Sequence, residues 1–458
     1  MDSISAIILA AGEGTRMKSS LPKVLHKVCG KEMIGHVVDA VRETGVTQTI
    51  VVIGYKGEMV KEVLGKEVET AYQEKQLGTG HAVKVALPAL SESCDTVIVL
   101  YGDTPLVRPS TIKALIAYHN KGGYGATVLT VKVSNPQGYG RIIRDAGGHI
   151  TGIVEERDAT PEQKGIEEIN SGIYCFDRRC LVEGIQSLRN DNAQGEYYLT
   201  DIVEFFKNRG IIIGGFTGQD PEEIKGVNDK YQLAEAQRAL NHRNLVKLMD
   251  EGVIIEDPGT TYIDKDVAIA ADTRIMPGTY IEGNTTIGSD NVIGPGTRIT
   301  NCSIGNGNEI QFSVLRDSDV GNGCRIGPYA HIRPNSRIDN DVRIGNFVEV
   351  KNSHMGNGSK ASHLSYVGDG DVGMGVNIGC GVVFVNYDGR QKHRTTIEDG
   401  AFIGCNVNLV APVTVRRGAY VAAGSTITKD ITEYSLGIER GKQAEIKDWV
   451  IRKGFRKD

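Results

Sequence analysis

A glycine-rich turn, Ala11-Gly12-Glu13-Gly14-Thr15-Arg16-Met17, follows the apolar stretch Ala6 to Ala10 and is itself followed by Leu21-Pro22-Lys23. Backbone amides in such a turn can line a phosphate with no Cβ in the way. Arg16 and Lys23 add the positive charge that a triphosphate requires. Spacing excludes two lookalikes. A Walker loop needs a lysine directly after its last glycine, and the dinucleotide fingerprint needs a third glycine where Met17 stands. A second glycine turn spans Gln73 to Gly80 (QEKQLGTG), and an apolar run from Thr96 ends in Tyr101-Gly102-Asp103. Ligands of open α/β sheets collect at strand carboxyl ends, so Asp103 stands where a carboxylate could hold Mg²⁺; it serves equally well as a turn residue. Gly138 to Arg141, Ile153 to Glu155, Ile169 to Gly172 and Gly226 to Asn228 are further polar tips on apolar strands, each readable alone as a turn. No Ser-His or Cys-His nucleophile pattern stands in this half, which agrees with direct displacement at phosphorus.

The second half offers different chemistry. Arg333 and Lys351 are separated by 18 residues, and His363 follows close behind. Stacked cations repel unless an anion lies between them, and a sugar phosphate would serve. Imidazole titrates in the right range to take a proton from an amine before it attacks a thioester. His331, His354 and His393 lie nearby, but no metal-ligand spacing links them.

The elements that must position these groups differ between the halves. Before residue 229, strands alternate with helical patterns: Met33, Ile34, Val37, Val38 and Val41 have helical spacing, Gly45 ends that run, and Ile50 to Ile53 form the next strand. Asp229 to Asp250 predicts one long helix, about 30 Å at ~1.5 Å per residue, acting as a stiff arm between domains. From Ile263 an aliphatic residue returns every sixth position through Ile299, slips by one at Ile304, resumes from Val320 to Val350, and runs again from Ile397 to Ile427. That period belongs to a hexapeptide β-helix, with three hexapeptides per coil of roughly 18 residues and about nine coils in all. Glycines at Gly288, Gly294, Gly321, Gly327, Gly345 and Gly404 mark the corners, where positive φ is often needed. Phe384 to Arg394 does not fit the repeat and predicts a projecting loop between Ile378 and Ile397, a place for function on a rigid scaffold. Ala444 to Lys453 predicts a short amphipathic closing helix bearing Trp449. The expected domains are 1–229, a helical linker 230–250, and 251–458.

A 458-residue chain with Lys+Arg 52 against Asp+Glu 57 has no basic footprint for nucleic acid or an anionic membrane. Eight cysteines without a CxxC pair fit a reduced cytosol. No leader and no apolar run of ~18 residues is visible, so a cytoplasmic protein without membrane insertion is expected.

Leu9 to Met17 with Leu21-Pro22-Lys23, Gln76 to Thr79, Tyr101-Gly102-Asp103, Gly140, Glu155, Asn170 and Asn228 together resemble the sugar-1-phosphate nucleotidyltransferases. With the hexapeptide half attached, the whole chain resembles the bifunctional N-acetylglucosamine-1-phosphate uridyltransferase/glucosamine-1-phosphate N-acetyltransferase family. The resemblance implies an α/β chain made of a Rossmann-like nucleotidyltransferase domain, a long linker helix and a left-handed parallel β-helix. It implies that Leu9, Ala10, Ala11 and Gly12 cradle the nucleotide of UTP, that Gln73, Gly78 and Thr79 read the uracil, and that Gly140, Glu155 and Asn170 hold N-acetylglucosamine-1-phosphate. It also implies Tyr101 and Gly102 among the nucleotide- and sugar-binding residues. Asp103 and Asn228 would bind Mg²⁺, while Arg16 and Lys23 stabilise the triphosphate. In the second half it implies His363 as base toward glucosamine-1-phosphate, Arg333 and Lys351 on its phosphate, and Tyr366, Asn377, Asn386 and Tyr387 at the sugar and acetyl group. Cys380, Cys405, Ala423 and Arg440 would line the acetyl-CoA site of a homotrimer. Cys380 and Cys405 stand where the family often has Ala or Ser. Two other readings stay open: a nucleotidyltransferase whose β-helix only regulates or oligomerises, and a non-catalytic regulatory subunit.

Overall fold

The structure is a computed structural model that describes residues 3–192 and 194–455; residues 1–2, 193 and 456–458 of the expected domains lie outside the described residues. The chain divides into two compact units, Met1–Leu240 and Asn241–Asp458.

The first unit is built on a nine-stranded sheet whose strands are β1 (Ser3–Leu9), β2 (Gln48–Ile53), β3 (Glu69–Tyr72), β4 (Cys94–Tyr101), β5 (Ala126–Lys132), β6 (Arg141–Arg144), β7 (Ile150–Val154), β8 (Glu168–Asp177) and β9 (Ile213–Thr217). The main path runs β9-β5-β8-β4-β1-β2-β3, with β6 pairing β8 and β7. β1 lies parallel between β2 and β4, with Ile7 opposite both Ile50 and Val99. The two-residue period of a strand explains why so apolar a segment is central: Ala6, Ile8 and Ala10 enter one hydrophobic layer, and Ile7, Leu9 and Ala11 the other. The predicted helix is Met33–Arg42, and Gly45 sits beyond it at φ 85°.

A 21-residue helix spans Lys230–Asp250. It is no bare arm, because apolar positions on both its halves are buried. Ala236 packs with Val28, Met33 and Val227 inside the first unit, and Leu245 and Leu248 join the core of the second.

The second unit is a three-faced parallel β-helix. Its sheets hold 11, 10 and 9 strands, and each strand pairs with the third one along the chain until the last pair, where Tyr420–Val421 meets Leu436–Gly437 two strands on. The face running from Tyr262–Ile263 to Thr426–Ile427 has ten strands, hence nine steps between coils. Every aliphatic residue of the predicted beat is buried in one continuous core. At ~1.5–3 kcal/mol for each buried aliphatic side chain, that column supplies most of the unit's cohesion.

The interruption is shorter than the repeat suggested. Met355, Ala361, Val367, Val372 and Ile378 continue the core, and Phe384 fills the next place, fully buried opposite Leu409. Gly370 makes room for that larger ring: a Cβ there would lie 2.6 Å from Phe384 Cε2. The irregular segment therefore begins at Asn386. Of the six corner glycines, Gly294 and Gly327 have positive φ. The other four answer a different need, close approach of successive coils; a Cβ on Gly404 would meet the Ala423 amide nitrogen at 2.6 Å. The expected closing helix is only Trp449–Arg452, and Ile446, Trp449, Val450 and Phe455 are exposed. A helix this short needs an apolar face packed against something, and among the described residues the ring contact of Trp449 is with Phe455.

Candidate active sites

In the first unit the polar tips converge at the carboxyl ends of β1, β3 and β4. The amide of Ala10 donates to Val52 O (2.9 Å) and that of Gly102 to Leu9 O (2.9 Å), fixing the glycine turn over the sheet. A cavity of about 290 Å³ opens there. Leu9, Ala10, Ala11 and Gly12 form one side, Gln73, Gly78 and Thr79 another, with Tyr101, Asp103 and Lys23 beside them. Thr79 and Tyr101 also border a neighbouring cavity of about 430 Å³ lined by Glu155 and Asn170. Gly140 O accepts the Asn170 amide (2.8 Å), and a Cβ on Gly140 would lie 3.4 Å from Glu155 Oε1.

Burial raises the Glu155 carboxyl, helped by Asp158 and Asp201, against a hydrogen bond from Thr200. Desolvation, followed by the Glu155 and Asp103 carboxylates, raises the Tyr101 phenol well above its ordinary range, so it stays a donor. Lys23 pairs with the Asp103 carboxylate, and its Nζ donates to Asn228 Oδ1 at 3.1 Å. Asp103 and Asn228 thus present two oxygens to one cationic group. Val227 N to Asp103 O (2.9 Å) ties the two segments together across the sequence.

Arg16 is not gathered in. It is exposed on the short turn Thr15–Met17, whose buried residue is Met17. Conversely, the segment from Gln194 to Thr200 gave no signal in sequence yet walls both cavities through Glu196. Gly80 N donates to Tyr197 O (2.7 Å) and Tyr197 N to Leu77 O (2.8 Å). The available hint was Gly78, where a Cβ would meet Tyr197 O at 2.6 Å.

In the second unit, Arg333 and Lys351 do stack one coil apart, with Arg333 N donating to Val350 O (2.8 Å). They are not bare cations held for an absent anion. Arg333 pairs with Glu349 at 2.7 Å and Lys351 lies 3.7 Å from Asp369, carboxylates that the 18-residue spacing did not reveal. Burial would raise the Asp369 carboxyl. Hydrogen bonds from Asn352 and Asn386, with the charges of Lys351 and Lys392, outweigh that and hold it below its ordinary value.

Asn386 also reaches the Tyr366 hydroxyl at 3.4 Å. From Asn386 the loop is tied down rather than loose: Asp388 accepts from the amides of Arg390 and Gln391 (both 2.7 Å) and from His393, and Arg394 pairs with Asp371 at 2.6 Å. Tyr387 pairs across it with Lys392. The neighbouring ammonium of Lys351 lowers the Lys392 pKa, so a second cation leans over the first. Asn377 is elsewhere, aligned between Lys360 and Phe402, and among the described residues no hydrogen bond joins it to Tyr366 or Asn386.

The acetyl-CoA candidates share one corner column. Asn406 N donates to Cys380 O (2.7 Å), Gly424 N to Cys405 O (2.8 Å), and Arg440 to Ala423 O (3.2 Å). Gly381 N to Leu364 O (2.9 Å) sets His363 one coil before Cys380 in that column. His363 is exposed, and its Nδ1 lies 3.0 Å from Asn346 Oδ1.

The MobA-like NTP transferase domain family matches residues 6–194, and the bacterial transferase hexapeptide family matches 266–301, 317–352 and 394–429. The unmatched stretch 353–393 contains His363, Tyr366 and the start of the loop. A bifunctional protein GlmU of Geobacillus sp. (strain WCH70) is 54% identical over 453 residues, 99% of each chain. The Clostridioides difficile (strain 630) protein of the same name is 51% identical over 99% of this chain and 98% of its own, and that of Acetivibrio thermocellus 50% identical over 99% of both. The chain belongs to the bifunctional GlmU family. As a GlmU-family member it is a two-activity transferase, with a nucleotidyltransferase unit and a hexapeptide acyltransferase unit. No helix among the described residues is long and apolar enough to cross a membrane.

Proposed function

We propose that the two activities divide between the two polar clusters just described, one in each unit. The chain makes UDP-N-acetylglucosamine: it N-acetylates glucosamine-1-phosphate from acetyl-CoA, then transfers uridylyl from UTP and releases pyrophosphate. The observation that carries the division is the separation of Lys23, Asp103 and Asn228 from Lys351, Asp369 and Asn386, with the latter set within a coil or two of His363.

For uridylyl transfer, the Leu9–Gly12 turn and Thr79 hold the nucleotide, and Glu155 and Asn170 the acetylated sugar. Two polyanions must meet there, so Lys23 faces the triphosphate as charge moves onto pyrophosphate. Asp103 and Asn228 would hold Mg²⁺: both offer hard oxygen donors, and Lys23 already fills the place between them with positive charge. Since no group of three His, Cys, Asp or Glu is gathered for a metal among the described residues, the ion would complete its shell from water and phosphate. It would polarise phosphoryl oxygens.

For acetyl transfer, His363 takes the proton from the substrate ammonium, Lys351, Lys392 and Arg333 answer the sugar phosphate, and Tyr366 and Asn386 orient the ring. Acetyl-CoA lies along Cys380, Cys405 and Ala423, with Arg440 toward its phosphates. The active assembly is a homotrimer in the cytoplasm. What supports association between chains is an exposed ridge of Phe312, Tyr329, Phe347 and Leu364 on successive coils, with rings 5.5–5.8 Å apart.

The test follows both reactions on the same preparations, thiol release from acetyl-CoA and pyrophosphate release from UTP. His363→Ala should abolish the first and spare the second, and Asp103→Ala the reverse. Loss of both activities in either variant, or of neither, defeats the division.

A further inference from the structure

We infer that Asn346 is the positioning residue for His363, holding the imidazole in the tautomer whose Nε2 carries the free lone pair; the inference rests on the reading of His363 as the base. Asn346 ends the strand Arg343–Asn346 and pairs in register with His363, the last residue of Lys360–His363 one coil on. Asn346 Oδ1 lies 3.0 Å from His363 Nδ1. An amide oxygen only accepts, so that contact requires a proton on Nδ1 and leaves Nε2 unprotonated.

The backbone enforces the pairing. The coils approach so closely at Gly345 that a Cβ there would lie 1.9 Å from Ser362 O. Phe347 and Leu364, directly after the two residues, both turn the corner at positive φ (58° and 32°). Ser365 Oγ donates to His363 O at 2.8 Å and fixes the far side of the histidine. The histidine cannot slide along the coil, and the ring is left one torsional question, which Asn346 answers. In this reading Asn346 acts through the ring.

The charged and titratable groups on the coils around His363 are Arg343, Glu349, Lys351 and His354 on the Asn346 side, Lys360, Tyr366, Asp369 and Asp371 on its own coil, Cys380 on the other side, and Lys392 from the loop. None of them is hydrogen-bonded to the His363 ring among the described residues. Asn346 is therefore the group whose replacement moves the base.

Three measurements on the full-length protein test this. In ¹⁵N-histidine spectra, with the His363 signal identified by its loss in His363→Gln, wild type should show a protonated Nδ1 and a bare Nε2. In Asn346→Ala, kcat for acetyl transfer should fall about tenfold with KM for both substrates within twofold, the loss of one oriented hydrogen bond. In Asn346→Asp an acceptor remains and adds negative charge, so kcat should recover at high pH while the acid limb of the rate profile moves up by about one pH unit. A bare Nδ1 in wild type, or an Asn346→Ala enzyme with unchanged kcat, overturns the inference. So does an Asn346→Asp profile without the shift, and that variant stands in if the alanine protein does not fold. Full acetyl transfer by His363→Ala would instead overturn the base assignment itself.

Discussion

Replacing Gly370 by alanine should destabilise the coil that carries the loop, and the cost should largely disappear once Phe384 is shortened. The new methyl would lie 2.6 Å from Phe384 Cε2, well inside contact distance, and both residues are buried. Overpacking of this kind costs about 1–3 kcal/mol. Phe384→Ala alone empties a ring-sized volume beneath Leu409 and should cost about 3–5 kcal/mol. Were the two sites independent, the double variant would lose roughly 4–8 kcal/mol. Because the methyl enters the space vacated by the ring, the double variant should be better than that sum by about 0.5–3 kcal/mol. The assay is the urea midpoint for loss of acetyl transfer in the full-length protein, with uridylyl transfer on the same samples as the internal control. Costs that add within about 0.3–0.5 kcal/mol would refute the claim that Gly370 exists to admit Phe384. A matching fall in the uridylyl midpoint would refute the confinement of the effect to the second unit.

Acid should weaken the first unit through His119, which is 3% exposed with Nδ1 2.9 Å from Thr127 Oγ1. Burial lowers its pKa to about 4, against a smaller opposing pull from Asp177. A depressed folded-state value means the stabilisation is whole above the unfolded value near 6.5 and is lost as pH falls through about 4, on the order of 3 kcal/mol in all. His119→Gln should flatten the pH dependence of the uridylyl unfolding midpoint between those limits; an unchanged slope would count against it. Phe347→Glu, placing charge in the exposed ridge, should convert the proposed trimer to smaller species by sedimentation velocity; an assembly unchanged from wild type removes the ridge from the interface.

Much of the scaffold was legible because its signals are periodic. Ile263 to Ile427 announced a β-helix from spacing alone, and Ala6 to Ala11 a buried strand from unbroken apolarity. The beat was lost between Val350 and Ile397 for a plain reason: five-residue steps bring Met355 and Val372 into the core, and Ala361 and Phe384 are not the aliphatic type the pattern seeks. The site was legible where chemistry sits in a short motif, as in Gly12 to Lys23, and not where it depends on a partner far along the chain. Glu349 and Asp369 beside the two cations, and Glu196 behind Gly78, come from strands and loops whose own sequences read as ordinary polar surface.

By itself the sequence determined the two-part architecture, the coil length, and the residue types available for phosphate, metal and proton chemistry, because local spacing controls which face of a strand or coil a side chain occupies. The tertiary structure decided which of them meet. It placed Lys23 between Asp103 and Asn228, 80 and 205 residues away, left Arg16 exposed, and set Asn346 against His363. Pairing in register across coils and sheet edges depends on the summed lengths of every intervening turn, which no single motif encodes.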